Sequence, residues 1–249
     1  MIKTGLVGTG YWGKIIESKL DILSKKGFVF NSKNYSKELI NSVEWVFIAT
    51  PPTSHYLLTR DCIESGVNVF VEKPFCINIE EAEELIFLAK KNKVHLYISN
   101  VFLHRKEIVK LPNNKNVSNV FFLWQKFGPF NDNLINDLLY HDLYILIYFL
   151  GVRTFSDAFI SKNEFDVLNF HFYYGAAKVE FSYDRKYIIE KKKEIIIDGL
   201  SILFKNDNQD PLSEIIKGCI EKKIDFNKNN ELNLQVVRLM EVVKSALSQ

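Results

Sequence analysis

Three glycines in the stretch GLVGTGYWGK, at positions 8, 10 and 13, are the first residues of this chain whose type and spacing could do chemistry. Where a strand turns into a helix, Gly8 would permit the tight turn, Gly10 would let backbone approach a pyrophosphate, and Gly13 would let helix and strand pack closely. The N–H groups left unpaired at the helix start, aided by its dipole, would then hold the anion. By itself the pattern also fits a structural turn, so its weight depends on the residues that follow. Polar residues recur where later apolar runs end: Thr50 after EWVFIA, Lys73 after VNVFVE, and Asn100 after VHLYIS. His95, His104 and His171 share no metal-ligand spacing. Cys62, Cys76 and Cys219 form no C-x-x-C pair, so neither a metal centre nor a disulfide framework is expected.

The elements that must position these residues alternate. IKTGLVG reads as a strand, Trp12 to about Ser24 as a helix, EWVFIAT as a buried strand, and His55 to Ser65 as a second helix. VNVFVEKP is the next strand, Ile79 to Asn92 the next helix, and VHLYISN the strand after it. Such alternation argues for stacked βαβ units and a parallel sheet covered on both faces, which binds ligands outside the carboxyl ends of its strands. After Asn100 the texture changes. VSNVFFLWQKFG is strand-like, and Leu134 to Leu150 is apolar at helical spacing and closed by Gly151. VLNFHFYYG, AAKVEFSYD and KKEIIIDG read as consecutive antiparallel strands with turns at Gly175 and Gly199, and two amphipathic helices close the chain. The expected architecture is an α/β Rossmann-like domain over 1–100, followed by an α+β domain with a mainly antiparallel open sheet over 101–249, the C-terminal helix packing back on the first.

The glycine loop, IATPPTSHY and VFVEKPF together closely resemble the N-terminal half of the glucose-fructose oxidoreductase and inositol dehydrogenase family, often called Gfo/Idh/MocA. The resemblance implies that Gly8, Thr9, Gly10, Tyr11, Trp12 and Gly13, with Thr50, Pro51, Pro52, His55, Glu72 and Lys73, line a cofactor, and that Lys73 is the central lysine. Asn100 fits the family's cofactor-proximal Asn. NDLLYHDLYILIYFLG resembles the family's helix with Asp-x-x-x-His near its start, which puts Asp137 and His141 in catalytic positions. Four residues apart, those two side chains share one helical face.

Oxidising a secondary alcohol needs a hydride acceptor and a base for the hydroxyl proton, and reduction needs the reverse. Desolvation at a strand end would bring the Lys73 ammonium toward the working range. His141 can accept or relay a proton near neutrality, and Asp137 could orient it or bind a substrate hydroxyl. Tyr140, Tyr144 and Tyr148 form an i, i+4, i+8 stripe better suited to packing than to a cofactor cage. The run Lys191 to Lys193, flanked by Glu190 and Glu194, reads as a solvated face.

The chain departs from the family between Asn31 and Thr50, where about 20 residues replace the usual strand, helix, strand and helix. Either GFVF is the second strand and Asn31, Ser32 and Lys33 read the adenosine ribose, the missing carboxylate then leaning toward NADP; or FVFNSKNYSKEL is the family's third strand and the ribose-reading unit is gone. The second reading is favoured by the unbroken run into NYSKELINSVEWVFIAT. Leu139 stands where the family commonly has glycine, and the second half is shorter, which makes this a shortened member.

A net charge of +2 gives no electrostatic case for nucleic acid, and 47% hydrophobic residues with 25% charged ones are those of a globular protein. No apolar run reaches the ~20 residues of a membrane span, and a cytoplasmic protein is expected. The resemblance implies an oxidoreductase using NAD or NADP on a sugar, cyclitol or nucleotide sugar, as a homodimer or higher homo-oligomer through the C-terminal sheet. A non-catalytic pseudoenzyme and a reductase of a C=N or tetrapyrrole substrate are the alternatives.

Overall fold

The computed structural model describes residues 1–31, 36–109, 111, 116–126, 134–205 and 208–248. In chain order the first elements are β1 (Lys3–Val7), α1 (Tyr11–Leu23), β2 (Lys25–Phe30), β3 (Trp45–Ile48), α2 (His55–Glu64), β4 (Asn68–Val71), α3 (Ile79–Asn92) and β5 (Leu96–Ile98). Then come α4 (Lys106–Val109), β6 (Asn119–Gln125), α5 (Tyr140–Leu150), β7 (Phe155–Asn163), β8 (Val167–Tyr174), β9 (Ala177–Asp184), β10 (Lys192–Ile197) and β11 (Leu200–Leu203). Helices α6 (Pro211–Ile220) and α7 (Phe226–Leu247) end the chain. Two compact units result, one of Met1–Val101 with Asp210–Val237, the other of Phe102–Gln209 with Arg238–Gln249.

In the first unit five strands, all parallel, are ordered β2-β1-β3-β4-β5. Their near-continuous apolar runs are what a sheet buried on both faces requires. Phe47, Phe70 and Tyr97 occupy register-matched positions on β3, β4 and β5, with ring centroids 5.1 and 5.6 Å apart. Against this aromatic row pack Ile16 and Leu20 of α1 and Leu212, Ile215 and Ile216 of α6. Helix α3 starts on the Asn78 side chain, which accepts from the Glu81 N–H, and carries Glu80 and Glu81 in its first turn.

The sheet corrects the favoured reading of the short segment after α1. GFVF belongs to β2, hydrogen-bonded directly to β1, so it fills the place next to the first strand rather than the outer place of a third. A doubly wound sheet ordered 3-2-1-4-5-6 would thus be missing the edge strand beyond β2, while the strand whose end faces the ribose is present. Counting residues does not reveal which neighbour a strand takes. Ser32 and Lys33 lie outside the described residues.

In the second unit six strands are ordered β11-β10-β6-β9-β8-β7. Strands β8 and β9 pair antiparallel as expected, but β10 does not follow β9: β6 lies between them, parallel to β9 and antiparallel to β10. The edge strands β7 and β11 were not legible, since neither shows clean alternation. On β6, β9 and β10 alternate residues are buried and half-exposed, so one face of the sheet is covered and the other is not. That alternation overturns the solvated reading of the lysine run at Lys193, while Lys191 is exposed and Lys192 half-exposed. Lys193 shares its face with Ile195 and Ile197 and is 2% exposed. No described helix is long and apolar enough to cross a membrane.

Candidate functional site

In the first unit the carboxyl ends of the five strands lie in a row. One backbone bond carries each pairing just past the strands: Gly8 N–H to Phe30 O at 2.7 Å, Ala49 N–H to Val7 O at 2.8 Å, Glu72 N–H to Ile48 O at 2.9 Å and Ser99 N–H to Val71 O at 2.9 Å. Read along the sheet, the residues delivered are Asn31, Gly8, Thr50, Lys73 and Asn100. The crossovers reverse direction between β1 and β3, with β2 on one side and β4 and β5 on the other. Ligands of open α/β sheets bind at this switch point. Gly8 and Thr50 flank it.

The glycines divide the work there. Gly8 has φ +119°, and a Cβ on it would lie 2.3 Å from Ala49 O; a Cβ on Gly13 would lie 2.0 Å from Gly8 O. Both glycines are demanded by backbone approach. A Cβ on Gly10 meets nothing within 4 Å. The space above the start of α1, which no side chain caps and where the first N–H groups have no partner within the helix, is therefore open to an anion. Tyr11 and Trp12, 71% and 39% exposed, stand beside it edge to face at 5.7 Å.

The Thr50 hydroxyl accepts from Ser54 Oγ at 2.7 Å, and the Pro52–Ser54 turn leads into α2. Lys73 is half-buried, and its N–H donates to Glu72 Oε2 at 3.3 Å. Burial pushes the Glu72 carboxyl up, against the pull of Ser99 and Lys73. Glu72 Oε1 and both amide atoms of Asn100 are buried with no hydrogen-bond partner among the described residues. Buried polar atoms are normally satisfied, so orphans at the ends of β4 and β5 fit a polar ligand such as the amide of a nicotinamide. His55 differs from its expected role: only 1% exposed, it bonds backbone carbonyls rather than facing a ligand. Asn31, exposed, follows Phe30, whose carbonyl is bound to Gly8. Its place at the end of the second strand is that of the ribose reader.

In the second unit one π-turn, Ile135–Leu139, precedes α5 and carries Asp137. Such turns are frequent at functional sites. Asp137 is ion-paired with Arg185, whose side chain is 7% exposed. His141 Nδ1 is 3.0 Å from the Tyr144 hydroxyl, which accepts from the Phe102 N–H at 3.2 Å. The imidazole stacks on Trp124 at 5.6 Å and 22°, and meets Phe102 edge-on at 5.0 Å. Behind it Asp142, fully buried, accepts from Trp124 Nε1 at 2.7 Å, Tyr183 Oη at 2.9 Å and Lys193 Nζ at 3.1 Å. Lys193 Nζ also sits 3.5 Å from the Trp124 ring centroid and 3.8 Å from that of Phe102. A buried ammonium placed between a carboxylate and two aromatic faces is compensated on every side. Burial pushes Asp142 up, against the pull of Lys193 and the other donors.

Residues 17–100 match the family model described as "Oxidoreductase family, NAD-binding Rossmann fold". That segment carries the threonine-proline turn, the Glu-Lys-Pro motif and Asn100, and both the parallel sheet and the mixed second sheet have counterparts in solved members. Over residues 17–100 the chain is thus similar to the Gfo/Idh/MocA oxidoreductases, and over nearly its whole length it shares their fold. Among curated Gfo/Idh/MocA-type relatives, UDP-N-acetylglucosamine 3-dehydrogenase of Acidithiobacillus ferrooxidans is 25% identical over 61% of this chain and 55% of its own length. D-xylose 1-dehydrogenase (NADP(+)) of Hypocrea jecorina is 32% identical over 30% of this chain and 20% of its own. The matches thus span about half the length of the first relative and a fifth of the second. Of the solved structures, that of the A. ferrooxidans dehydrogenase aligns with a TM-score of 0.83 at 18% identity, covering 98% of this chain and 97% of the other. The WlbA dehydrogenase of Thermus thermophilus, in complex with NAD and UDP-GlcNAcA, gives 0.81 at 14% identity, covering 96% and 94%. At these identities the structures establish the shared fold.

Sequence reasoning passed over Trp124, Phe102 and Asp142, read Lys193 as part of a solvated face, and gave Tyr144 a packing role. The one signal available was the period of two in KKEIII, which puts Lys193 with the inward isoleucines.

Proposed function

We propose that this chain is an NAD(P)-dependent oxidoreductase that moves hydride to or from a hydroxyl-bearing or keto carbon of a sugar, cyclitol or nucleotide-linked sugar. The observation that carries the reading is the row at the switch point: an open glycine cradle, the Thr50 turn, Lys73, and the orphaned amide of Asn100. Gly8 to Gly13 would hold the pyrophosphate through backbone N–H groups, Asn31 the adenosine ribose, and Thr50, Pro51, Pro52, Glu72 and Asn100 the nicotinamide half. The dinucleotide supplies the hydride acceptor or donor when bound.

The remaining chemistry belongs to side chains. Lys73 takes the hydroxyl proton in oxidation or returns it in reduction. In the second unit His141, held by Tyr144, Trp124 and Phe102, is the proton relay, and Asp137 on the π-turn is the orienting or substrate-binding carboxylate. The names of the relatives, several of which are dehydrogenases of sugars or nucleotide sugars, support the substrate class. The uncovered face of the second sheet, with Phe121, Leu123 and Ile196 adjacent, supports self-association through that surface.

Titration of the purified protein with NADH and NADPH, followed by nicotinamide fluorescence, tests the cofactor. Saturable binding of at least one is expected, and binding of neither at millimolar concentration removes the reading. Turnover with candidate nucleotide sugars then tests Lys73: Lys73→Ala retaining full turnover would refute its role.

A further inference from the structure

The ladder between β3 and β4 ends where Glu72 N–H meets Ile48 O at 2.9 Å. Beyond that bond the strands become separate turns, one holding Thr50 and Pro51, the other Lys73 and Pro74. The His55 ring spans the gap from the start of α2, with Nε2 2.7 Å from Thr50 O and Nδ1 2.7 Å from Pro74 O. Both partners are carbonyls, which only accept. A neutral imidazole has one N–H for the two of them, and an imidazolium has one for each. Burial and the Lys73 ammonium push the His55 pKa below its usual 6.5, while the two carbonyls push it back; burial is the larger effect. Both ring nitrogens face backbone carbonyls, so contact with a cofactor does not account for the ring's placement.

We propose that His55 is a positioning residue for Lys73. The main chain around Lys73 is then fixed on both sides, by the Glu72 N–H bond before it and by the His55 bond to Pro74 O after it. A neutral ring donates to one of the two carbonyls and rests against the other, and a protonated ring donates to both, so in either form it sets the spacing between the lysine's turn and the threonine-proline turn. An apolar side chain of the same size would fill the volume but leave two buried carbonyls without a donor. The inference rests on the role given to Lys73 above.

The test uses the full chain with its lysines 13C-dimethylated, Lys73→Ala identifying the Lys73 signal. In the wild type that signal shows a small step below pH 6.5 as the neighbouring His55 takes its proton. In His55→Gln the step vanishes while the signal stays resolved, because the carboxamide NH2 keeps a donor for one of the two carbonyls, as a neutral imidazole does. In His55→Leu the signal moves to the position shared by surface lysines, and NADH binding weakens about 10-fold, against about 3-fold or less for His55→Gln. A step that survives in His55→Gln, or a His55→Leu signal and NADH affinity matching wild type, overturns the proposal. If His55→Leu does not fold, the comparison of wild type with His55→Gln still decides. The lysine signal needs no substrate, so absence of nicotinamide binding would remove the functional reading while leaving the positioning role to be judged separately.

Discussion

Gly10→Ala separates anion binding from folding, because the three glycines of the loop differ in what surrounds them. At Gly8 a Cβ would press on Ala49 O at 2.3 Å with φ at +119°, and at Gly13 on Gly8 O at 2.0 Å. Substituting either one damages the fold itself. Gly10 has φ −74° and ψ −167°, a conformation open to any residue, and a Cβ there meets nothing within 4 Å. The cost to the folded chain is that of exchanging glycine for alanine at a helix N-cap, about 0.5 kcal/mol. For a chain of this size that is a shift of about 1–2 °C in Tm. The added methyl, however, stands where phosphate oxygens must come within ~3 Å of the N–H groups, and it holds them at a van der Waals distance of ~3.5–4 Å. Losing one or two hydrogen bonds to a charged group costs about 1.5–3 kcal/mol, or 10- to 100-fold in the NADH dissociation constant. Nicotinamide fluorescence gives the affinity and a thermal melt gives the stability. Unchanged NADH affinity in a folded Gly10→Ala protein would show that no phosphate lies over this helix start, and the site would have to be placed elsewhere.

Other outcomes follow from the same geometry. Asn31→Asp puts a carboxylate at the end of β2, so NADPH should bind at least ~10-fold more weakly while NADH changes little; parallel titrations check this, and an equal effect on both cofactors would count against the ribose assignment. Lys193→Met leaves Asp142 buried with its cation gone, for which a loss of about 3–5 kcal/mol in urea unfolding is expected. Burial pulls Glu107 upward, but bidentate Arg105, Gln209 and the Lys205 N–H outweigh it and hold the carboxyl at about 2. Its folded pKa is below the ordinary 4.5, so its contribution is present above 4.5 and lost as pH falls toward 2. Glu107→Gln should flatten stability across that window by up to ~3 kcal/mol. Finally, Leu123→Lys with Ile196→Lys places charges on the uncovered face of the second sheet, and light scattering should show a smaller particle than wild type if that face is an interface.

The amino-acid sequence determined most of the elements of the first sheet and the motifs at their ends. Glycine spacing, the threonine-proline turn and Glu-Lys-Pro mark positions where local backbone geometry or a specific functional group is needed, and such demands are written in contiguous residues. The parallel strands were legible because strands buried on both faces must be apolar throughout. What lay beyond reach was decided between segments far apart in the chain. β6 entered between β9 and β10, GFVF took the place beside β1, Lys193 turned inward to Asp142, and Arg185 came to Asp137. Each depends on which surfaces meet. A strand's hydrogen-bonding edges look the same toward every neighbour, and a lysine is stable in a core only when a carboxylate and aromatic faces arrive from elsewhere to compensate it. His55 shows both levels at once: its place four residues after Pro51 is sequence, while its two carbonyl partners, one of them on the neighbouring strand's turn, exist only once β3 and β4 lie side by side.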